Sequence, residues 1–180
     1  MRLDILSYKE LLESTKWRNA HLETLRTPIM LNSIMQNDFY ENVICNRKSE
    51  HRYWALKETR KELKEKSSLT WDEEVLVGVG GLTNISWENR NAEISLIIDD
   101  KYHRQGLGEK AVELLLDQAF NYMNLENVYG EVYTCNETGL LFWREIVKEY
   151  SAYMVYLDAR KYWQGEYWKS MWFSINRGNE

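Results

Sequence analysis

A chain of 180 residues with 44% hydrophobic and 28% charged positions fits one domain over 1–180, with room for a single substantial core. Its net charge of −5 argues against general nucleic-acid binding, which calls for a basic surface, and suits a cationic partner such as an amine. Met1 to Leu6 runs straight into charged sequence, and nothing resembles a long apolar span or a signal peptide, so no membrane association and a cytoplasmic location are expected.

The N-terminal third reads as two helices, Tyr8 to about Ala20 and Asn32 to about Asn46, with Pro28 between them as a breaker. In the second, Ile34, Met35, Phe39, Val43 and Ile44 form one apolar stripe. Arg52 to Leu56 begins a strand. The sign-alternating run Lys57 to Lys66 then reads as a solvated loop or short helix. Val75 to Leu82 is β-rich, with glycines that suggest a bend or bulge. The polar turn Trp87 to Asn91 joins it to a strand over Ala92 to Ile98, making an antiparallel hairpin.

From Gly106 to about Asn124, Leu107, Ala111, Leu114, Leu115, Ala119, Tyr122 and Met123 mark one face of an amphipathic helix. Asn127 to Thr134 is a strand, and Asn136 can cap a helix running to about Glu149. Two strands close the chain, Ala152 to Leu157 and Tyr167 to Ile175, with a turn around Gln164-Gly165. Their many aromatics suit core filling, and any that stay exposed offer a surface for a homodimer. This order implies a mixed sheet flanked by helices in one α/β domain. Cys45, Cys135, His21, His51 and His103 are scattered, so neither a disulfide framework nor a metal site is expected.

The run Glu93 to Ala111 carries the most chemistry. A strand leads into a basic turn, and a helix begins at that turn. A helix start leaves backbone N–H groups unpartnered and favours an anion. Gly106 and Gly108 let a phosphate approach the main chain, while His103, Arg104 and Gln105 can add side-chain donors. No Gly-Lys-Ser/Thr follows, which counts against a phosphate-loop nucleotide enzyme.

This order of elements, with its glycine turn, resembles the GNAT superfamily of acyl-CoA-dependent N-acetyltransferases. The family's pyrophosphate loop reads Gln or Arg, Gly, any residue, Gly, any residue, Gly or Ala; here the positions are His103, Arg104, Gln105, Gly106, Leu107 and Gly108. The last three agree, whereas His103 and Arg104 depart from the pattern and supply donors. Gly80 to Ile85 looks like the family's third strand, Glu93 to Tyr102 like its fourth strand and exit, and Tyr133 to Asn136 like the end of its fifth. The tail Leu157 to Trp168 is similar to the closing hairpin of the ribosomal-protein-alanine acetyltransferase branch. Trp17-Arg18-Asn19 is similar to that branch and to amino-sugar acetyltransferases.

The resemblance implies a GNAT-like, mostly antiparallel sheet whose splayed strand pair holds acetyl-CoA as cosubstrate. It implies transfer of the acetyl group to a primary amine by direct attack, at a protein N-terminus or on a small amine such as an amino sugar. Main-chain groups of Leu96, Ile97 and Ile98 would bond the pantetheine arm, His103 to Gly108 the pyrophosphate, and Asn136 the pantetheine or adenosine side. Glu93 would be the general base, with Glu131 as the alternative. Arg26 and Asn84 would meet the acceptor, with Trp17 and Arg18 also considered. Relatives often carry a Tyr acid seven positions after Asn136; Trp143 stands there, and its indole N–H is not a useful acid. Tyr133, a water or unassisted thiolate departure would then serve. The same Trp motivates a second reading, a non-catalytic acyl-CoA-binding module.

Overall fold

A computed structural model of the protein describes residues 1–63 and 70–178. Seven strands form one sheet: β1 Arg2–Ile5, β2 Arg52–Leu63, β3 Thr70–Ser86, β4 Asn91–Ile98, β5 Asn127–Tyr133, β6 Tyr153–Trp163 and β7 Glu166–Asn176. Their order is β1-β2-β3-β4-β5-β7-β6, and every neighbouring pair is antiparallel except β4 with β5. Four helices flank the sheet: α1 Tyr8–Ala20, α2 Ser33–Phe39, α3 Leu107–Asp117 and α4 Glu137–Glu149. The expected α/β architecture is the one observed.

Local chemistry explains the helix starts. Ser7 and Glu10 close a capping box on α1, Asn32 Oδ1 accepts from Met35 N at 2.9 Å, and Asn136 Oδ1 accepts from Gly139 N at 2.9 Å. The β6–β7 hairpin turns on Gln164 and Gly165 with φ of 51° and 88°, the conformation a two-residue hairpin loop needs.

One face of the sheet carries the main core. Leu82, Ile94, Val128 and Phe173 pack there with Val112, Leu115 and Leu116 of α3 and Ile146 and Val147 of α4. On the other face Leu6 and Leu11 pack with Ala55 and Val79. Phe173 is 1% exposed, stacks on Trp143 with centroids 4.8 Å apart, and lies where a side chain on Gly130 would otherwise sit.

Several expectations are corrected. Lys57 to Leu63 is strand rather than loop or helix, and residues 64–66 of that run lie outside the described residues. The charged strand is held by backbone pairing and by ion pairs across the sheet, such as Lys57 with Asp4 at 2.9 Å and Arg2 with Glu74 at 2.8 Å. Such a strand leaves no apolar alternation to read. β1 was not anticipated.

The stripe on the second helix reaches the core only in part: Phe39 and Ile44 pack against the Leu6 and Leu11 cluster, whereas Ile34 is 73% exposed and Gln36 is buried instead, donating to Thr15 Oγ1 at 2.6 Å. α3 continues into a π-helical turn, Gln118–Tyr122, whose extra residue rotates the face and leaves Tyr122 73% exposed. Among the C-terminal aromatics only Phe173 is buried; Tyr153, Tyr156 and Tyr162 are exposed on β6, the sheet edge, and Tyr167 is exposed at the hairpin end of β7. Cys45 is exposed and Cys135 half-buried, both as thiols.

Candidate active site

The parallel pairing of β4 with β5 runs only over Asn91↔Asn127, Ala92↔Val128 and Glu93↔Tyr129. Beyond Glu93 the strands part, so the main chain of Leu96 to Ile98 faces an opening rather than a sheet neighbour on that side. Two hollows meet this V-shaped gap.

The larger is a groove of about 1300 Å³ whose walls include Ser95 to Ile98, the turn residues Tyr102 to Arg104 and Gly106 to Glu109, and Asn136 to Gly139 with Leu141 to Trp143 at the start of α4. Gly106 sits at φ 73° as the cap of α3, and space around it is open; Gly108 lies against the Phe142 ring, where a Cβ would come within 2.9 Å. Arg104 adopts φ 59°, the left-handed conformation in which the family pattern has Gly. Its guanidinium makes no hydrogen bond among the described residues. The other two expected donors are exposed and engaged with nearby main chain: His103 Nε2 lies 3.0 Å from the Ile98 carbonyl, and Gln105 Nε2 donates to the Lys101 carbonyl at 3.1 Å. Gln105 therefore does not line the groove, while Leu96, Ile97, Ile98, His103, Arg104, Gly106, Leu107, Gly108 and Asn136 all do. Trp143 lines it too, fixed by its stack on Phe173.

The smaller hollow is a polar basin of about 440 Å³ that begins where the strand pairing stops, lined by Arg26, Asn84, Glu93, Tyr129, Glu131, Tyr133, Arg160 and Trp172. Three residues expected at the acceptor side meet here. Arg26 grips Glu93 through two nitrogens, at 2.5 and 3.1 Å, and Asn84 Nδ2 donates to Glu93 Oε2 at 2.9 Å. Asn84 can do so because it occupies a bulge in β3 at φ 50°, a left-handed position Asn tolerates better than most residues. Arg26 also reaches Glu131 at 3.3 Å. Glu131 accepts from Arg160 Nε at 2.9 Å and from Ser170 Oγ at 2.7 Å.

Burial pushes the Glu131 carboxyl up, but the bonds from Arg160 and Ser170 outweigh it and hold the group below the ordinary carboxylate range. The stabilisation this represents is therefore complete above the unfolded value, about 4.3, and is lost as pH falls through the lower folded value. Urea midpoints of the wild type and Glu131→Gln should differ at neutral pH and converge in strong acid. A gap independent of pH would contradict this.

Arg26 is held in place by its own segment. Lys161 Nζ, on a residue 7% exposed, donates to the carbonyls of Glu23 and Leu25, both at 2.5 Å, just ahead of Arg26. Burial pushes the Lys161 ammonium below its ordinary value. Arg160 and Lys161 follow Ala159, which sits at φ 50° where β6 loses register with β7. Arg160, Lys161 and Ser170 were not singled out from the sequence, and no spacing pattern points to them, whereas Trp172 belongs to the aromatic-rich closing strands. Arg18 is committed elsewhere, donating to the carbonyls of Ile29 at 3.2 Å and Thr27 at 3.3 Å. Asn19 donates to the Leu31 carbonyl and accepts from its N–H, so Arg18 and Asn19 together anchor the 22–32 segment. Tyr53, on the groove wall, has its phenol pushed up to about 12 by burial and so stays protonated at neutral pH.

The groove fits an elongated cosubstrate with a phosphate end: an open glycine turn, a free guanidinium, the start of an eleven-residue helix and a strand edge lie along one path. Among the described residues no helix is long and apolar enough to cross a membrane.

Comparisons with known proteins agree with this layout. A family model described as an acetyltransferase (GNAT) domain matches residues 12–138. No match was found among curated proteins. Among solved structures, the spermidine N-acetyltransferase from Vibrio cholerae in complex with CoA and spermine superposes with a TM-score of 0.77 at 18% identity, covering 98% of this chain and 95% of that one. A chimera of SpeG from Vibrio cholerae and hSSAT gives a TM-score of 0.72 at 20% identity, over 98% and 96%. At these identities the likeness is one of fold.

Proposed function

Because the chain belongs to the GNAT acetyltransferase family, we propose that it moves the acetyl group of acetyl-CoA to a primary amine seated in the polar basin, with Glu93 as general base. The observation that carries this reading is the V between β4 and β5, closed at Glu93 and opening between the glycine-turn groove and the basin. The fold shared with spermidine N-acetyltransferases, one of them with CoA and spermine bound, supports an amine acceptor. So does the tail, which resembles the ribosomal-protein-alanine branch. A protein N-terminus and a small amine are both amines of this kind.

Acetyl-CoA supplies an electrophilic thioester carbonyl: the acceptor nitrogen bonds to its carbon, the C–S bond breaks, and the thiolate leaves to be protonated. The protein's residues make that exchange fast. Gly106, Gly108, Arg104 and the start of α3 hold the pyrophosphate, and the free edge of β4 at Leu96 to Ile98 aligns the arm. A main-chain N–H on that edge donates toward the carbonyl oxygen. Holding both reactants at one gap removes the entropy of their encounter. Glu93 takes the proton that an amine carries at neutral pH.

Arg104→Gly tests the loop through two readouts of opposite sign. It relieves the left-handed strain, worth up to ~1 kcal/mol, so the melting temperature should hold or rise. It also removes the free guanidinium, so calorimetry should show acetyl-CoA bound about tenfold more weakly. An unchanged Kd would contradict the assignment of this turn.

A further inference from the structure

Resting on the reading of the basin as the acceptor site, we infer that the acceptor is a free α-amino acid, an amine whose own carboxylate sits one carbon away. Glu93 and Glu131 form the floor, with side chains 12% and 6% exposed, while Arg26 and Arg160 stand at the mouth, 52% and 49% exposed. Their formal charges cancel. A polyamine binds where carboxylates lack partners, but here each carboxylate is bonded to a guanidinium, and each guanidinium at the mouth repels a second cation.

A zwitterion keeps every charge paired. Its ammonium takes the Glu93 carboxylate, and its carboxylate takes the planar fork of Arg26 that Glu93 releases. Arg26 Nη2 and Glu93 Oε1 are 2.5 Å apart, so the two ligand charges must also be close neighbours. A peptide N-terminus brings an ammonium with a neutral amide beside it, and Arg26 would then exchange the Glu93 fork for its longer contact to Glu131 at 3.3 Å, with no new anion to replace it. Tyr129 and Trp172 form the apolar wall as a stacked pair with centroids 6.1 Å apart, positioned to take the amino acid's side chain.

The exchange also has a catalytic consequence. With Arg26 on both oxygens of Glu93 and Asn84 on Oε2, three of the carboxylate's roughly four lone-pair sites are occupied, and the guanidinium stands where an ammonium would approach. The arriving carboxylate draws the guanidinium away, the proton passes from the ammonium nitrogen to a Glu93 oxygen, and the nitrogen lone pair is left for the acyl transfer described above. The correct acceptor thus uncovers its own base.

The test is the rate of thiol release from acetyl-CoA with the twenty common amino acids and spermidine, then with the amide and the decarboxylated amine of the fastest amino acid. The free acid should exceed both analogues in kcat/KM by roughly 30-fold or more, although the amide has the larger fraction of free amine at neutral pH. Arg26→Gln should cut that preference to about threefold or less, mainly by raising KM for the acid. Spermidine or the amide matching the best amino acid would overturn the inference while leaving amine acetylation standing. Release with none of these amines would overturn the acceptor-site reading and this inference together.

Discussion

Glu93→Gln should lower kcat by about 10²- to 10³-fold while leaving the Kd for acetyl-CoA within about twofold. The substitution keeps the size of the side chain and an oxygen for Arg26 to bond, so the basin should persist; what disappears is the ability to take a proton. The variant would then depend on acceptor that is already deprotonated, and its rate should climb about tenfold per pH unit below the amine's own pKa. That pH profile separates a base from an anchor. Were Glu93 present only to hold Arg26, Gln would serve nearly as well and the profile would match the wild type. Asn84, which donates to Glu93 at 2.9 Å, keeps the carboxylate turned into the basin, so Asn84→Ala should show a smaller loss of the same kind.

Phe173→Ala should destabilise the fold by about 3–5 kcal/mol and weaken acetyl-CoA binding as well. The ring is 1% exposed, fills the space left by Gly130 on β5, and supports Trp143 from behind. Removing it opens a cavity between the sheet and α4 and takes away the surface that keeps Trp143 against the groove. A shifted urea midpoint with an unchanged m-value would report loss of stability without loss of compactness. Gly130→Ala acts on the same contact from the strand side: the added methyl drives the ring off its seat, at a cost of about 1–3 kcal/mol. A midpoint unchanged in both variants would mean that this packing is not what holds α4 to the sheet.

Local signals were legible in the sequence wherever a single segment contained them. The Asn136 cap, the Gln164-Gly165 turn, the β3–β4 hairpin and the glycine turn before α3 each announce themselves within a few residues, and the structure has all of them. Glu93, Asn84 and Arg26 could be named as separate candidates, yet their convergence depends on the bulge at Asn84 and on the segment after α1. That segment is fixed by Asn19, Arg18 and Lys161 through carbonyl contacts that leave no pattern. Arg160 stayed hidden for a related reason, since the left-handed Ala159 decides where it points. The charged half of β2 was misread because strands held by pairing and surface ions lack apolar alternation. π-helical turns after α2 and α3 likewise shift the buried face by a residue that a fixed helical period does not anticipate.

The Trp at position 143 bears on the end of the reaction. Its ring stacks on Phe173 and lines the groove, so it shapes the cosubstrate's path and donates no proton of use. Tyr133, which carries the Lys161 ammonium over its ring at 5.1 Å, is one of two tyrosines lining the basin. A free thiol has a pKa near 8.5 and leaves tolerably as the thiolate, so Tyr133→Phe discriminates between assisted and unassisted departure.

The central claim is that one gap between β4 and β5 brings an acetyl thioester and an amine together over Glu93. Its most direct measurement is the stoichiometry of free thiol and acetylated amine, followed together by thiol titration and mass spectrometry with the wild type and Glu93→Gln at equal acetyl-CoA occupancy. The wild type should yield one amide per thiol released, and the variant neither at a comparable rate. Thermal stabilisation by acetyl-CoA with no amide from any amine, or equal turnover by both proteins, would contradict it.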